Sequence, residues 1–416
     1  MSGPGSSQSS HPLSIAIVAA EESGDALGAA LAQALRRREA TPPAFMGVGG
    51  RAMAEAGIRS PFPIDELSII GVTAIPRRLP QIFRRISETA NAIVAARPDV
   101  LVIVDSPDFT HRVARRVRRA APTIPIIDYV SPSVWAWRPG RARAMRAYTD
   151  HVMAILPFEP AVHAELGGPP CSYVGHPLIE RVALLRPDAD EARRRHADPP
   201  LVLALPGSRS SEIGRLTGIF GGAIERLVAR IGPIDLVVPT VPHVAAQLRA
   251  AVASWTMKPR IVVDQAEKWS AFRNARAALA ASGTVTLELA LAGVPMVTAY
   301  RLHPVEAGIA RLLRMQAKLP TVILANLVLG RKVVPEFLQA RCRPEDLADA
   351  LLPLTSDTAE RRAQVEAFAS LDGIMAVGAT PPSDRAASIV LEIARRGPGQ
   401  PVEPAAGSPR TTGPSG

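Results

Sequence analysis

Short apolar runs of strand length, each giving way to a turn and then to a helix-like pattern, recur along nearly all of this chain. Leu13–Ala20 ends at Glu-Glu-Ser-Gly-Asp and is followed by a helical pattern through Leu27, Leu31 and Leu35. Val100–Val104 ends at Asp105-Ser-Pro-Asp-Phe and leads into an arginine-rich helix from about His111, while Pro125–Val130 and Val152–Leu156 add two further runs. After a Pro- and Arg-rich stretch at 186–200 the alternation resumes with Leu201–Leu205, Leu236–Pro239, Arg260–Val263, Ala277–Ala281 and Val294–Ala299. Repeated strand–helix units assemble as parallel sheets with helices on their faces, and ligands gather beyond the strand carboxyl ends. With 416 residues the chain is long for one domain, so two are expected. The predicted fold is α/β, with two Rossmann-like domains, 13–190 and 191–380, facing a cleft. A C-terminal helix at 381–396 follows, and disordered tails at 1–12 and 397–416 flank the whole.

Two of the turns have the composition of anion sites. Leu201-Val-Leu-Ala-Leu-Pro-Gly-Ser-Arg209 stops a strand abruptly and delivers a guanidinium at its carboxyl end. Ala281-Ser-Gly-Thr-Val-Thr-Leu-Glu288 repeats the arrangement, with Glu288 in the second turn of the following helix. Glycine lets the backbone approach an anion, and a helix N-terminus offers free N–H groups and a positive dipole end. Arg209 adds a planar fork of donors for phosphate oxygens. Together they predict a pyrophosphate site at the edge of a parallel sheet, although either turn alone also reads as an ordinary strand-to-helix connection.

Composition narrows the class. A hydrophobic fraction of 47% with 21% charged residues is enough for a sizeable buried core,. Two cysteines, Cys171 and Cys342, form neither a disulfide framework nor a zinc pattern and fit a reducing cytoplasm,. The net charge is +10, yet of 48 basic residues only Lys258, Lys268, Lys318 and Lys332 are lysine. So skewed a ratio reads as genomic base composition before it reads as a nucleic-acid surface, though a basic surface does favour anionic partners. The first dozen residues lack the basic and apolar regions of a signal peptide. No run of some 20 uninterrupted apolar residues is present to span a membrane,.

Candidates for chemistry lie at the first-half strand ends. Asp105 follows its strand directly, where a carboxylate suits a general base. Asp108, beyond Pro107, is placed to cap the next helix. Ser23-Gly24-Asp25 reads either as an anion- or hydroxyl-binding turn or as a cap for the helix running to Leu35. Gly47-Val-Gly-Gly-Arg51 has the wrong spacing and position for a dinucleotide fingerprint, which argues against NAD. Trp135 and Trp137 fit a sugar- or acyl-facing wall or the core, and His176 fits a structural role slightly better than a catalytic one. Neither a Gly-x-Ser-x-Gly elbow nor a Walker loop is present.

The motifs stand in a telling order: Ala20-Glu-Glu-Ser-Gly-Asp-Ala-Leu-Gly28, Val104-Asp-Ser-Pro-Asp-Phe109, Tyr129-Val-Ser-Pro-Ser-Val-Trp-Ala-Trp-Arg138, Leu156-Pro-Phe-Glu159 and Val174-Gly-His-Pro177. Leu205-Pro-Gly-Ser-Arg209, Ala281-Ser-Gly-Thr284 and Asn326-Leu-Val-Leu-Gly-Arg331 follow. Across about residues 13–395 the chain resembles the lipid-A-disaccharide synthase family, bacterial glycosyltransferases of lipopolysaccharide assembly. The resemblance implies the glycosyltransferase-B architecture, with an N-terminal acceptor and catalytic domain and a C-terminal donor domain. It implies inverting transfer of a diacylglucosamine from UDP to diacylglucosamine 1-phosphate, with no metal or organic cofactor. Asp105 would deprotonate the acceptor hydroxyl, and Ser23 and Gly24 would line the substrate site. Arg209, Ser282, Gly283, Thr284 and Glu288 would hold the UDP, with Asn326 and Gln339 near the same site. Departures occur at Ala20-Glu21-Glu22, at Ala74 in Gly71-Val-Thr-Ala, and at Leu324-Ala325-Asn326, where the family reads Gly-Glu-Ala, a glutamate and Leu-Pro-Asn.

Acylated substrates require contact with a membrane. Ile75, Leu79, Ile82, Phe83 and Ile86 recur at helical spacing, flanked by Arg77, Arg78, Arg84 and Arg85. That pattern suits either an amphipathic helix on an anionic inner-membrane surface or a helix packed on the core. The expected protein is cytoplasmic and peripherally membrane-associated, with a homodimer left open. Within the same architecture another UDP-sugar glycosyltransferase or a UDP-N-acetylglucosamine epimerase is the alternative, and a basic nucleic-acid-binding protein is the remote one.

Overall fold

In a computed structural model of the protein, residues 12–67, 75–136, 138–302 and 321–396 are described. The tails, Gly71–Ala74 and Trp137 therefore lie outside the described residues. The chain forms two compact units, one running to Pro177 and resuming at Val377, the other spanning Leu178–Ala376.

The first unit contains β1 (Ser14–Ala19), α1 (Glu22–Arg38), β2 (Ala44–Val48), α2 (Arg51–Glu55), α3 (Ile75–Ala96), β3 (Val100–Val104), α4 (Thr110–Ala120), β4 (Ile126–Tyr129), α5 (Gly140–Met145), β5 (His151–Ala154), α6 (Glu159–Glu165) and β6 (Cys171–Tyr173). All six strands are parallel in the order β2-β1-β3-β4-β5-β6. Val-Leu-Val-Ile-Val of β3 is buried at all five positions, the mark of a central strand covered on both faces. The strand order reverses between β1 and β3, which opens a crevice at their carboxyl ends. Register keeps those ends level, since Ala19 pairs with Val104 and Val104 with Tyr129.

The second unit begins earlier than the linker-like composition of 186–200 suggests. Its first helices, α7 (Val182–Leu185) and α8 (Ala189–Arg194), precede β7 (Leu201–Leu205). Arg195 shows why a Pro- and Arg-rich stretch is not a loose linker here. Its guanidinium donates to the carbonyls of Arg273, Phe272, Ala292 and Gly293 at 2.6, 3.1, 2.7 and 3.2 Å, tying the segment to the C-terminal ends of two helices. Burial holds this guanidinium down to about 10, so it stays charged at neutral pH.

Next come α9 (Ser210–Ile231), β8 (Asp235–Pro239), α10 (Ala245–Val252), β9 (Arg260–Val262), α11 (Gln265–Asn274), β10 (Ala277–Ala281), α12 (Val285–Leu291), β11 (Met296–Tyr300) and β12 (Glu336–Leu338). The order β12-β11-β10-β7-β8-β9 is again fully parallel, with its reversal between β10 and β7. The C-terminal helix Pro382–Arg396 returns to the first unit, burying Ala386, Ala387, Val390 and Ile393 in the core around α1. The ion pairs Arg37–Asp384 (3.2 Å) and Arg395–Glu39 (2.6 Å) flank that contact.

Candidate active site

In the first unit, the turn after β3 presents Asp105. Its backbone N–H continues the ladder to Tyr129 O at 3.0 Å, and both Asp105 and Ser106 then take left-handed conformations, φ 50° and 46°. Such a pair costs roughly 1–2 kcal/mol per residue and is held by Thr110, whose hydroxyl donates to the Asp105 carbonyl at 2.6 Å. The Asp105 carboxylate accepts Ser106 N–H at 2.7 Å and the Ser23 hydroxyl at 3.4 Å. Gly24 brings α1 close enough for the second contact, because a Cβ there would meet Val104 O at 3.2 Å and the Ala19 Cβ at 3.3 Å. Asp105, Ser23 and Gly24 thus converge at the β1/β3 crevice.

The neighbouring carboxylates take roles other than those expected. Asp108 does not cap α4: it is exposed, and the N-cap position, Phe109, has no side-chain cap. The carbonyls of Asp105 and Ser106 are tied instead by Thr110. Asp25 does not cap its own helix. It is 3% exposed and accepts the N–H groups of Gly50, Ala52 and Met53 at 2.7, 2.8 and 3.0 Å, closing the start of α2. The Gly-rich turn 47–51 therefore wraps a carboxylate of the protein.

The first unit also buries polar groups that sequence reading missed. His111 Nε2 stands 3.2 Å from Asp128 and its Nδ1 3.0 Å from the Tyr148 hydroxyl. Trp135 donates to buried Glu159 at 3.3 Å and packs edge-on against Phe158, so its indole is anchored from below. Burial pushes the Glu159 carboxyl up to about 7 and the imidazoles of His151 and His176 down to about 4. His176 is therefore neutral near pH 7.

In the second unit, β-sheet register gathers the predicted donor contacts. Leu205 pairs with Ala280, Ala281 with Ala299 and Tyr300 with Leu338, so the turns bearing Arg209, Ser282–Thr284 and Gln339 leave one sheet edge together. Ser282 and Gln339 line the same cleft of about 1070 Å³. The Pro-Gly-Ser-Arg turn is, however, filled by Glu212. This buried carboxylate accepts Ser208 N–H at 3.1 Å, Arg209 N–H at 3.3 Å and Arg209 Nη1 at 3.1 Å. Gly207, at φ 120°, makes room for it, since a Cβ there would lie 2.4 Å from Glu212 Oε2. The anion that this glycine admits is the protein's own.

Glu288 is half-buried and ion-paired with Lys268 at 2.5 Å. Lys268, from α11, is a partner that only the tertiary structure reveals. Asn326 stands apart from the other expected contacts. At 1% exposure, its amide donates to Val334 O (2.9 Å) and Glu336 (3.1 Å) and accepts Val333 and Val334 N–H (2.9 and 2.8 Å). Its hydrogen-bonding capacity is filled by protein, so it orders the strand that leads to Gln339. Among the described residues no group of three His, Cys, Asp or Glu side chains is placed to hold a metal ion.

Two parallel α/β units with crevices at their topological switch points define the glycosyltransferase-B fold. Solved structures share the fold: a Staphylococcus aureus MnaA–UDP co-structure (13% identical, TM-score 0.59, covering 91% of this chain and 95% of that one) and Acinetobacter baumannii MurG (16%, 0.55, covering 92% and 100%). The family model of lipid-A-disaccharide synthetase matches residues 15–376. Lipid-A-disaccharide synthases of Nitrobacter hamburgensis (60% identical over 387 residues, 92% of this chain and 97% of the relative) and Bradyrhizobium diazoefficiens (57% over 383 residues, 92% and 97%) are close relatives. The chain belongs to the lipid-A-disaccharide synthase family.

Proposed function

We propose that the chain transfers a 2,3-diacylglucosamine from its UDP donor to 2,3-diacylglucosamine 1-phosphate, with inversion and without a metal, releasing UDP. The observation that carries the reading is Asp105, fixed at the β1/β3 crevice with one carboxylate oxygen toward Ser23, inside a chain of this family. As the acceptor hydroxyl attacks the anomeric carbon, its proton becomes acidic and passes to Asp105. The bond to UDP breaks on the opposite face, so one displacement inverts the centre with no covalent glycosyl-enzyme. Arg209 meets the charge growing on the departing diphosphate, Ser282–Thr284 lies beside it, and Glu288, oriented by Lys268, accepts from ribose hydroxyls. Asn326 supports this site through Gln339. Chromatographic separation of the lipid products from the two proposed substrates, with wild type and Asp105→Asn, tests the reading. A disaccharide 1-phosphate formed by wild type alone is the expected result, and equal formation by the variant refutes Asp105 as the base.

Peripheral association with the inner membrane belongs to the same reading. Among the described residues no helix is long and apolar enough to cross a membrane. On α3, Leu79 and Phe83 are 40% and 42% exposed, which suits insertion into a lipid interface. Of the four cations expected to flank the stripe, the side chains of Arg77 and Arg78 lie outside the described residues, and the other two face acidic neighbours. Arg85 is paired with Glu66 and Glu88, both at 2.8 Å, and Arg84 lies 3.6 Å from Glu88.

A further inference from the structure

Helix α4 carries Arg112, Arg115, Arg116 and Arg119, spaced three and four apart and so on one face,. Like charges at that spacing disfavour a helix, and α4 contains no acidic residue to offset them. Among the described residues none of these four is paired with a carboxylate; of this helix's arginines only Arg118 has one, Asp150. Their face lines a cleft of about 730 Å³, together with Arg138, just before α5, and Arg141 within it. Six guanidiniums thus surround a concave space whose lining holds one carboxylate, Asp108.

The side chains are held in place. Arg115 lies 4.6 Å over the Tyr148 ring and donates to its hydroxyl at 3.4 Å, and that hydroxyl is in turn fixed by His111. Arg116 donates to the Ser87 hydroxyl at 2.5 Å and to Phe83 O at 3.4 Å. Arg112 sits 5.2 Å over the Phe83 ring. Guanidiniums fixed beforehand lose little freedom on meeting a ligand, and their forks match phosphate oxygens. The rim is apolar, because exposed Phe83 lines the cleft and exposed Leu79 lies one turn before it.

We propose that this cleft binds the phosphomonoester headgroup of a lipid, the arginines of α4 and α5 holding the dianion and Phe83 meeting the start of the acyl region. Two lipids offer that chemistry, an acylated sugar 1-phosphate and a phosphatidate. The inference does not depend on Asp105 acting as a base, since its test reads binding alone. Full-length wild type and Arg112→Gln/Arg115→Gln are sedimented with phosphatidylcholine vesicles containing phosphatidate or phosphatidylglycerol at matched surface charge. Wild type should prefer phosphatidate, and the variant should lose that preference, its affinity for phosphatidate falling roughly tenfold. UDP titrates identically into both proteins, which shows that the fold is intact. Glucosamine 1-phosphate separates the sources: displacement from the vesicles assigns the cleft to a sugar 1-phosphate, and retained preference without displacement assigns it to phosphatidate. Equal wild-type binding to both vesicles, a preference unchanged by the double substitution, or displacement by duplex RNA, which offers only diester phosphates, overturns the proposal.

Discussion

The Glu212 carboxylate holds Arg209 at two points, accepting its backbone N–H at 3.3 Å and its guanidinium at 3.1 Å. The N–H groups of this turn are therefore taken by the protein's own carboxylate, while the Arg209 side chain stays 76% exposed.

Arg209→Ala should accordingly weaken UDP binding by about 1.5–3 kcal/mol, the scale of a charge-assisted hydrogen bond. Glu212→Ala should instead lower stability by about 1 kcal/mol, because water can reach the exposed N–H groups it leaves. Calorimetric titration of UDP and urea unfolding of both variants separate the two roles. Unchanged UDP affinity in Arg209→Ala removes Arg209 from the phosphate site.

Asp105 and Asp108 should separate sharply. Asp105→Asn is expected to lower turnover by at least about 10² with UDP affinity nearly intact, since a positioned base supplies about 10²–10⁴. Asp108 is exposed and caps nothing, so Asp108→Asn should shift stability by no more than about 0.5 kcal/mol. Single-turnover rates and melting curves decide. Full turnover in Asp105→Asn would exclude it as the base.

Membrane attachment should follow the apolar stripe of α3. Leu79→Gln/Phe83→Gln is expected to reduce sedimentation with anionic vesicles, while turnover of detergent-dispersed substrates changes little. Arg84→Gln/Arg85→Gln should matter less, because both cations face acidic neighbours. If the two pairs are reversed in effect, charge and not burial governs docking.

Glu159 makes stability depend on pH. Burial raises its carboxyl to about 7, so between about pH 4.5 and 7 the native state holds a proton that the unfolded chain has lost. Stability from this group is then present at low pH and declines as pH rises through that window, by about 3 kcal/mol in order of magnitude. His151 and His176, depressed to about 4, act oppositely and destabilise as pH falls below about 6.5. Because the two histidines together outweigh Glu159 below about pH 6.5, Glu159→Gln should steepen the rise in stability from about pH 4.5 to 6.5 and remove the decline that remains between about 6.5 and 7,. Urea midpoints from pH 4.5 to 7.5 measure it, and a variant curve parallel to wild type assigns the decline elsewhere.

The residues themselves determined the alternation of buried strands and helices, the turns at Asp105, Arg209 and Ser282–Thr284, and the family. Each is a local pattern, legible because a central parallel strand must be continuously apolar and must end in a turn at the crevice. Only the tertiary structure decided who answers whom. Glu212 closing on Arg209, Lys268 on Glu288, Asp25 on α2 and the full satisfaction of Asn326 all join groups whose pairing depends on register and helix packing. The same holds for the Pro- and Arg-rich stretch at 186–200, which is bound through Arg195 to helix ends some eighty to one hundred residues away. It holds also for the C-terminal helix, whose return to α1 is carried by an apolar face that any exposed core would accept. A side chain's type fixes what it can bond; the folded chain fixes which partner arrives first.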